Sequence, residues 1–488
     1  MSLTAISDLS STLVETEICI LGAGPAGITC ALELSRRGHQ VVLLEGGGLQ
    51  PPEDRELDLY DGVVSGARTY PLAPSRLRYF GGTSGHWGGW CRPLDPIDFE
   101  TKPHIPHSGW PISRSDLDPW YRQAHEWVQI DQAEYYDEQA FPAPSTLLPA
   151  AHGMRTKYFR FSPPTRFGEV YLGAVKEAET LQCVLNATAT HFDFDSNGSA
   201  RVVYARSLDG HSVAIRAGSF VVALGGIENA RYLLGCADQE PAAPWRDLDW
   251  LGRGFMDHAG WQMGSIIAKS GLQYRVTGKG AERVMPVLTI EDDLLREGNL
   301  INCCLILQPL ARVKGLDSTY GLNSWVGAGT TPGDVSGYRA ALIWEPSPCR
   351  TSQVSLSDKR DALGMKRLDL FWDFNNTDFD MLDASISHIN QYLHLAKAGR
   401  LKLDKPVNAK NIAGRIGNGW HHMGTTRMSD HPSAGVVDRH CKVHGSDNVY
   451  VAGSSVFPSV GFSNPTLTIT ALACRLAAHL SETIGQSR

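Results

Sequence analysis

The sequence predicts an α/β protein. A Rossmann-like dinucleotide-binding domain is joined to a second, substrate-binding domain built on a mainly antiparallel sheet with helices. Three observations carry that prediction. Gly22, Gly24 and Gly27 form a GxGxxG fingerprint between an apolar run and a helical pattern near the start of the chain. Near the other end, paired histidines at His421-His422 are followed by Asn464-Pro465 and a long apolar helix pattern. Between them, residues 263–410 alternate strand-like runs with one helical pattern and lack any glycine fingerprint. A nucleotide site at one end and a histidine–asparagine constellation at the other imply that the two ends meet over one cofactor. At 488 residues the chain is also long for a single core.

Taken in order, residues 17–21 read as a buried parallel strand. Gly22 permits the tight turn, Gly24 lets a pyrophosphate approach the backbone, and Gly27 lets helix pack on strand; Pro25 and Ala26 open the helix between them. Residues 26–37 are the helix, and residues 40–44 a second strand that ends in Glu45, whose carboxylate suits ribose hydroxyls and repels a 2′-phosphate. Residues 80–89 combine five glycines with Phe80, His86 and Trp87, so backbone could lie close against a flat ring. Residues 186–204 alternate as strands. Residues 220–226 form another buried strand, and 227–231 open a helix. Strand-like runs follow at 284–288, 300–307, 340–344, 353–356 and 368–374, with a helix over 378–398. Residues 315–337 read either as a substrate loop or as a surface excursion.

In an extended segment His421 and His422 point to opposite faces, so one of them faces the cofactor. A neutral imidazole is suited to accept a proton near neutral pH. Asn464 with Pro465 is a helix-start signal in its own right, predicting an N-cap before a helix over 466–484.

Composition narrows the classes further. The net charge of −7 comes with no basic block, which argues against nucleic acid and anionic membrane as partners. The ten cysteines show no CxxC pair, so neither zinc site nor disulfide framework is indicated, and no metal is expected. Residues 1–16 lack the basic start and apolar run of a signal peptide, and residues 18–34 read as strand-turn-helix rather than a span. A cytoplasmic protein is expected.

Together the fingerprint, the 80–89 segment and the run Gly419–Met428 with Asn464 resemble the glucose–methanol–choline (GMC) oxidoreductases, flavoenzymes that take hydride from alcohols. The likeness runs from about residue 17 to 480, strong at both ends and weak between, and is nearest the pyranose-oxidase-like, carbohydrate-oxidising branch. It implies FAD as cofactor. It places Gly81, Gly82, Thr83, Ser84, His86 and Trp87 along the flavin, with His86 where some relatives bond covalently to it; covalent and non-covalent contact both stay open. It implies a lid over the FAD at residues 46–74, and cofactor contacts at Gly453, Ser454, Asn464, Pro465 and Thr466. Counted back from Arg427 in the family's register, the catalytic base is His421, paired with Asn464. The implied domain plan gives residues 14–130, 181–262 and 410–488 to the FAD domain, 131–180 to a substrate-domain or connecting segment, and 263–409 to the substrate domain.

The implied reaction is oxidation of an alcohol of a sugar, glycoside or cyclitol to a carbonyl, by hydride transfer to flavin N5, with oxygen or another electron acceptor. A redox-neutral FAD-containing lyase of the same fold is the alternative. A third reading, an NAD-linked protein without flavin, differs from both in colour.

Overall fold

A computed structural model describes residues 3–486 except 68, 132–135, 137–146, 270 and 311–334. The fingerprint region folds as a parallel layer. Its central strand, Leu13–Leu21, extends further back than the apolar run 17–21 because it also pairs with the polar start of Ser212–Val222. On its other side lie Val41–Leu44, Leu181–Leu185 and Leu3–Ala5, all parallel. Ser212–Val222 carries the antiparallel strands Ala200–Arg206 and Thr188–Phe194 along its first half, and the parallel strand Val449–Val451 along its last three residues. A strand from the C-terminal end therefore completes the N-terminal sheet. Helix Pro25–Arg36 follows the first strand, and helix Thr466–Gln486 packs on it through one apolar core that includes Ile28, Leu32, Leu472 and Leu476. The apolar side chains of both helices recur at helical spacing, so each buries a continuous stripe.

The second sheet is antiparallel throughout. Its order is Gly399–Leu403, Ala259–Lys269, Val335–Trp344, Cys303–Pro309, Val284–Ile290, Met154–Phe161 and Trp90–Cys91, with Gly417–Asn418 paired to the start of Ala259–Lys269. Met154–Phe161 comes from the segment 131–180, read as substrate-domain or connecting, and Trp90–Cys91 from just beyond the glycine-rich run. Helix Asn376–Leu395 covers one face with Met381, Leu382, Ile386 and Ile389. The other face carries a smaller apolar cluster that includes Phe159, Val287, Ile306 and Phe462.

Two expectations change. The runs at 353–356 and 368–374 were expected in the antiparallel sheet; instead Gln353–Arg360 and Lys366–Trp372 form a separate three-stranded sheet with Gly62–Gly66 from the lid segment. Their partner lies some three hundred residues upstream, a pairing that no local pattern encodes. Residues 315–334 of the 315–337 loop lie outside the described residues, and Val335 begins a strand. All ten cysteines are free and buried. Among the described residues, no helix is long and apolar enough to cross a membrane.

Candidate active site

A single cavity of about 1010 Å³ joins the fingerprint to the C-terminal constellation. That is the upper end of the range for drug-sized ligands, room for more than one small molecule. Gly22, Gly24, Pro25, Ala26, Glu45, Gly82, Thr83, Ser84, His86, Trp87, Gly453, Ser454, Asn464, Pro465, Thr466, His421 and His422 all line it.

At the fingerprint, two of the glycines differ in what surrounds them. A methyl group on Gly27 would lie 1.8 Å from the carbonyl oxygen of Gly22, so close helix–turn packing excludes any side chain there. A methyl group on Gly24 would meet no protein atom within 4 Å; its space opens into the cavity. The packing therefore does not require glycine at 24, whereas a ligand lying against the backbone would. Glu45 accepts hydrogen bonds from the amides of Ala23 (2.9 Å) and Gly47 (2.8 Å), pinning both loops while keeping lone pairs for ribose hydroxyls. Arg78, passed over in the sequence, is a buried cation in the same wall and bonds Thr188 Oγ1. These residues fit an ADP-bearing flavin.

The 80–89 segment is ordered by its own polar groups. Ser84 Oγ donates to the carbonyl of Gly81 (2.7 Å) and accepts from the amide of Phe167 (3.0 Å). Trp87 Nε1 donates to the carbonyl of Thr165 (2.8 Å). Half-buried His86 packs its ring 5.5 Å from that of Trp420, and burial followed by the charge of Arg166 lowers its pKa.

The two histidines diverge as expected. Trp420 just before them has φ +55°, in the left-handed region that a bulky residue rarely occupies. It is held there because the amides of Gly419 and His421 both point at Asp257 Oδ1, at 3.2 and 2.9 Å. His422 turns to Tyr70 of the lid segment, whose hydroxyl is 3.2 Å from its Nε2, and to the Phe255 ring. Burial, then the charge of Arg76, pushes its pKa down to about 3. The carbonyl of His422 lies where a Gly226 methyl group would be, 1.8 Å away, so the strand–helix junction at 225–226 packs directly under the histidine pair.

His421 meets His258 and Asn464. Its Nδ1 is 2.9 Å from His258 Nδ1, and its Nε2 is 3.3 Å from Asn464 Nδ2. The partners of His258 fix the hydrogens. His258 Nε2 faces the carbonyls of Gly461 (3.1 Å) and Val460 (3.4 Å), which only accept, so it carries hydrogen. Burial holds His258 neutral, with a pKa lowered to about 4, leaving its Nδ1 as an acceptor. His421 Nδ1 must then donate. His421 Nε2 is left with a lone pair facing Asn464 and the cavity, and burial, with His258 and His422 beside it, holds the ring well below the usual histidine pKa.

The turn that orients His258 is itself anchored. Both of its amides, Val460 and Gly461, donate to Glu345 Oε1 at 3.0 Å, and Glu345 Oε2 pairs with Lys102 Nζ at 3.2 Å in the core. Sequence reading missed Asp257, His258 and Glu345. The one available signal was an adjacent Asp-His inside an otherwise apolar stretch, Phe255 to Trp261. One expectation at this site is corrected. The first hydrogen bond of the last helix runs from the Ile469 amide to the Pro465 carbonyl (2.8 Å), so Pro465, not Asn464, occupies the cap position. Proline lacks an amide hydrogen and loses nothing there, which leaves the Asn464 side chain available to His421.

Residues 348–473 match the family model described as GMC oxidoreductase, and residues 17–246 match FAD dependent oxidoreductase. The chain thus carries the C-terminal domain of the GMC oxidoreductases. It is an FAD-dependent oxidoreductase. It is 22% identical to a 2-methyl-1,2-propanediol dehydrogenase of Mycolicibacterium austroafricanum, covering 97% of this chain and 96% of that one. It is 24% identical to the fructose dehydrogenase large subunit of Gluconobacter japonicus, over 96% and 98% of the two chains. Among solved structures, a formate oxidase of Aspergillus oryzae shares the fold at a TM-score of 0.60 with 15% identity, covering 98% of this chain and 100% of the other.

Proposed function

We propose that this FAD-dependent oxidoreductase oxidises a hydroxyl of a sugar or glycoside to a carbonyl, with His421 taking the hydroxyl proton on Nε2. The bare Nε2 of His421, its Nδ1 hydrogen committed to His258, carries this reading. Bound FAD supplies the acceptor for the carbinol hydride. The chain's own residues do the rest. Asn464 Nδ2, beside Nε2, donates to the substrate oxygen and holds it in line with the lone pair. Because His421 is neutral at working pH, it is ready to accept a proton and acquires charge only as the alcohol is oxidised. His86, Trp87 and Thr83 would contact the flavin, and Arg78 and Glu45 its ADP portion. The sugar class is supported by the relative named for fructose, and alcohol oxidation more broadly by the one named for a small diol.

Anaerobic mixing of the yellow holoenzyme with a panel of sugars, glycosides and polyols tests this. Bleaching of the flavin by a sugar or glycoside is the expected result. A flavin that stays yellow with every alcohol overturns it in favour of redox-neutral lyase chemistry on the same fold.

A further inference from the structure

Beyond the catalytic histidine, the cavity continues along the antiparallel sheet, and strand register measures how far. In Val335–Trp344 burial alternates: Tyr338, Ala340, Leu342 and Trp344 are buried in the core, while Arg339, Ala341 and Ile343 are half-buried; these three and Leu342 line the cavity. Side chains two residues apart share a face, so the cavity wall is built in rows. The row next to His258 pairs Gly260 with Ile343 and Gly417. At Gly260 a methyl group would meet only one atom, at 3.9 Å, so this row is open floor. The next pairs Gln262 with Ala341. The outermost pairs Arg339 with Ser265, which also faces Lys402 on the neighbouring strand. Asp404 follows that strand and stands 4.0 Å from Arg339 Nη1.

From Ile343 to Arg339 is four strand residues, about 13 Å at 3.2–3.4 Å per residue. That distance exceeds one sugar ring. The wall thus runs from a floor left open at Gly260 beside Ile343, past the amide of Gln262, to a charged outer row. Along this wall Arg339 and Arg415 line the cavity against Asp404, a positive balance. A cationic amino sugar is poorly matched to it, whereas hydroxyls or a carboxylate are well matched.

We propose that this outer row is a second subsite, and that the substrate is a glycoside at least two units long whose distal unit is neutral or acidic. This rests on the sugar reading above and deepens it. Hydroxyl oxidation occurs over the Gly260 floor, and the distal unit is held by Arg339, with Asp404 setting the direction of its guanidinium.

The test is anaerobic flavin reduction and steady-state turnover by the holoenzyme. The probes are methyl glucoside against methyl cellobioside and methyl maltoside, plus the glucuronosyl-terminated analogue of the better disaccharide. The expected result is a higher kcat/KM for a disaccharide than for the monosaccharide, carried by KM. Arg339→Ala should lower that disaccharide-to-monosaccharide ratio roughly tenfold, the worth of one charged hydrogen bond. Arg339→Lys, which keeps the charge, should retain most of it, and Arg339→Glu should remove any preference for the acidic analogue. A wild-type ratio near one, or a ratio unmoved in Arg339→Ala, overturns the subsite alone. Sugars that never bleach the flavin overturn the sugar reading, and the subsite with it.

Discussion

At His421 the position of a single hydrogen follows from neighbours rather than from the residue itself. His258 receives the Nδ1 hydrogen because two carbonyls already take its own, and Asn464 faces the bare Nε2. His421→Ala should slow flavin reduction by roughly 10² to 10⁴, the usual contribution of a positioned base, with FAD retained. His422→Ala, whose ring faces Tyr70, should lose far less. The reverse order, measured by stopped-flow, would show that His422 is the base. His258→Phe removes the acceptor for Nδ1, and His258→Gln restores one. Reduction should slow in the first and recover in part in the second, and ¹⁵N shifts of His421 should move from the Nδ1–H form only in His258→Phe. Since the folded pKa of His421 lies well below the ordinary value, the wild-type rate should stay flat through neutral pH and fall only in acid.

At the scale of one element, the fingerprint turn separates what packing requires from what the cofactor requires. Gly27→Ala forces a methyl group onto the Gly22 carbonyl and should destabilise the apoprotein by about 1–3 kcal/mol in a urea melt, as overpacked sites do. Gly24→Ala has room in the protein and an ordinary φ of −79°, so the apoprotein should melt as before. Its FAD affinity, read by fluorescence quenching on titration, should fall. If Gly24→Ala binds FAD unchanged, the cavity beside it does not hold the pyrophosphate. The strand–turn–helix itself was legible in the sequence because its signals are local: an apolar run, three glycines and a helical stripe. The extra sheet formed by the lid strand was not, because Gly62–Gly66 meets Lys366–Trp372 only after the chain has folded back.

Across the whole molecule, buried acids make stability depend on pH near neutrality. Burial raises the pKa of Asp257 from its ordinary value to about 7, although the amides it accepts pull the other way. A carboxyl whose folded pKa lies above its unfolded one stabilises fully below the unfolded value, and that contribution is lost as pH rises through the folded one. The melting temperature of the holoenzyme should therefore decline as pH rises from about 4 to about 7 and level off above that. Asp257→Asn keeps an acceptor for the Gly419 and His421 amides without the charge, and should flatten that decline. An unchanged slope would mean that Asp257 is ionised throughout.

The sequence by itself determined the class of protein, the dinucleotide turn, and the pairing of His421 with Asn464, which the structure brings to 3.3 Å. Those depend on local spacing or on a motif register that survives in one chain. Tertiary structure alone decided the rest. Asp257 and His258, more than 160 residues from His421, reach it because the strand that follows them starts beside the glycine-rich bend at 417–419. Glu345 anchors a turn over a hundred residues away through two backbone amides, which no side-chain pattern announces. Pro465 takes the cap that Asn464 was expected to fill, because the helix begins one residue later than its polar signal. Hydrogen-bond direction and strand register are properties of groups brought together in space, and a linear pattern records only the groups.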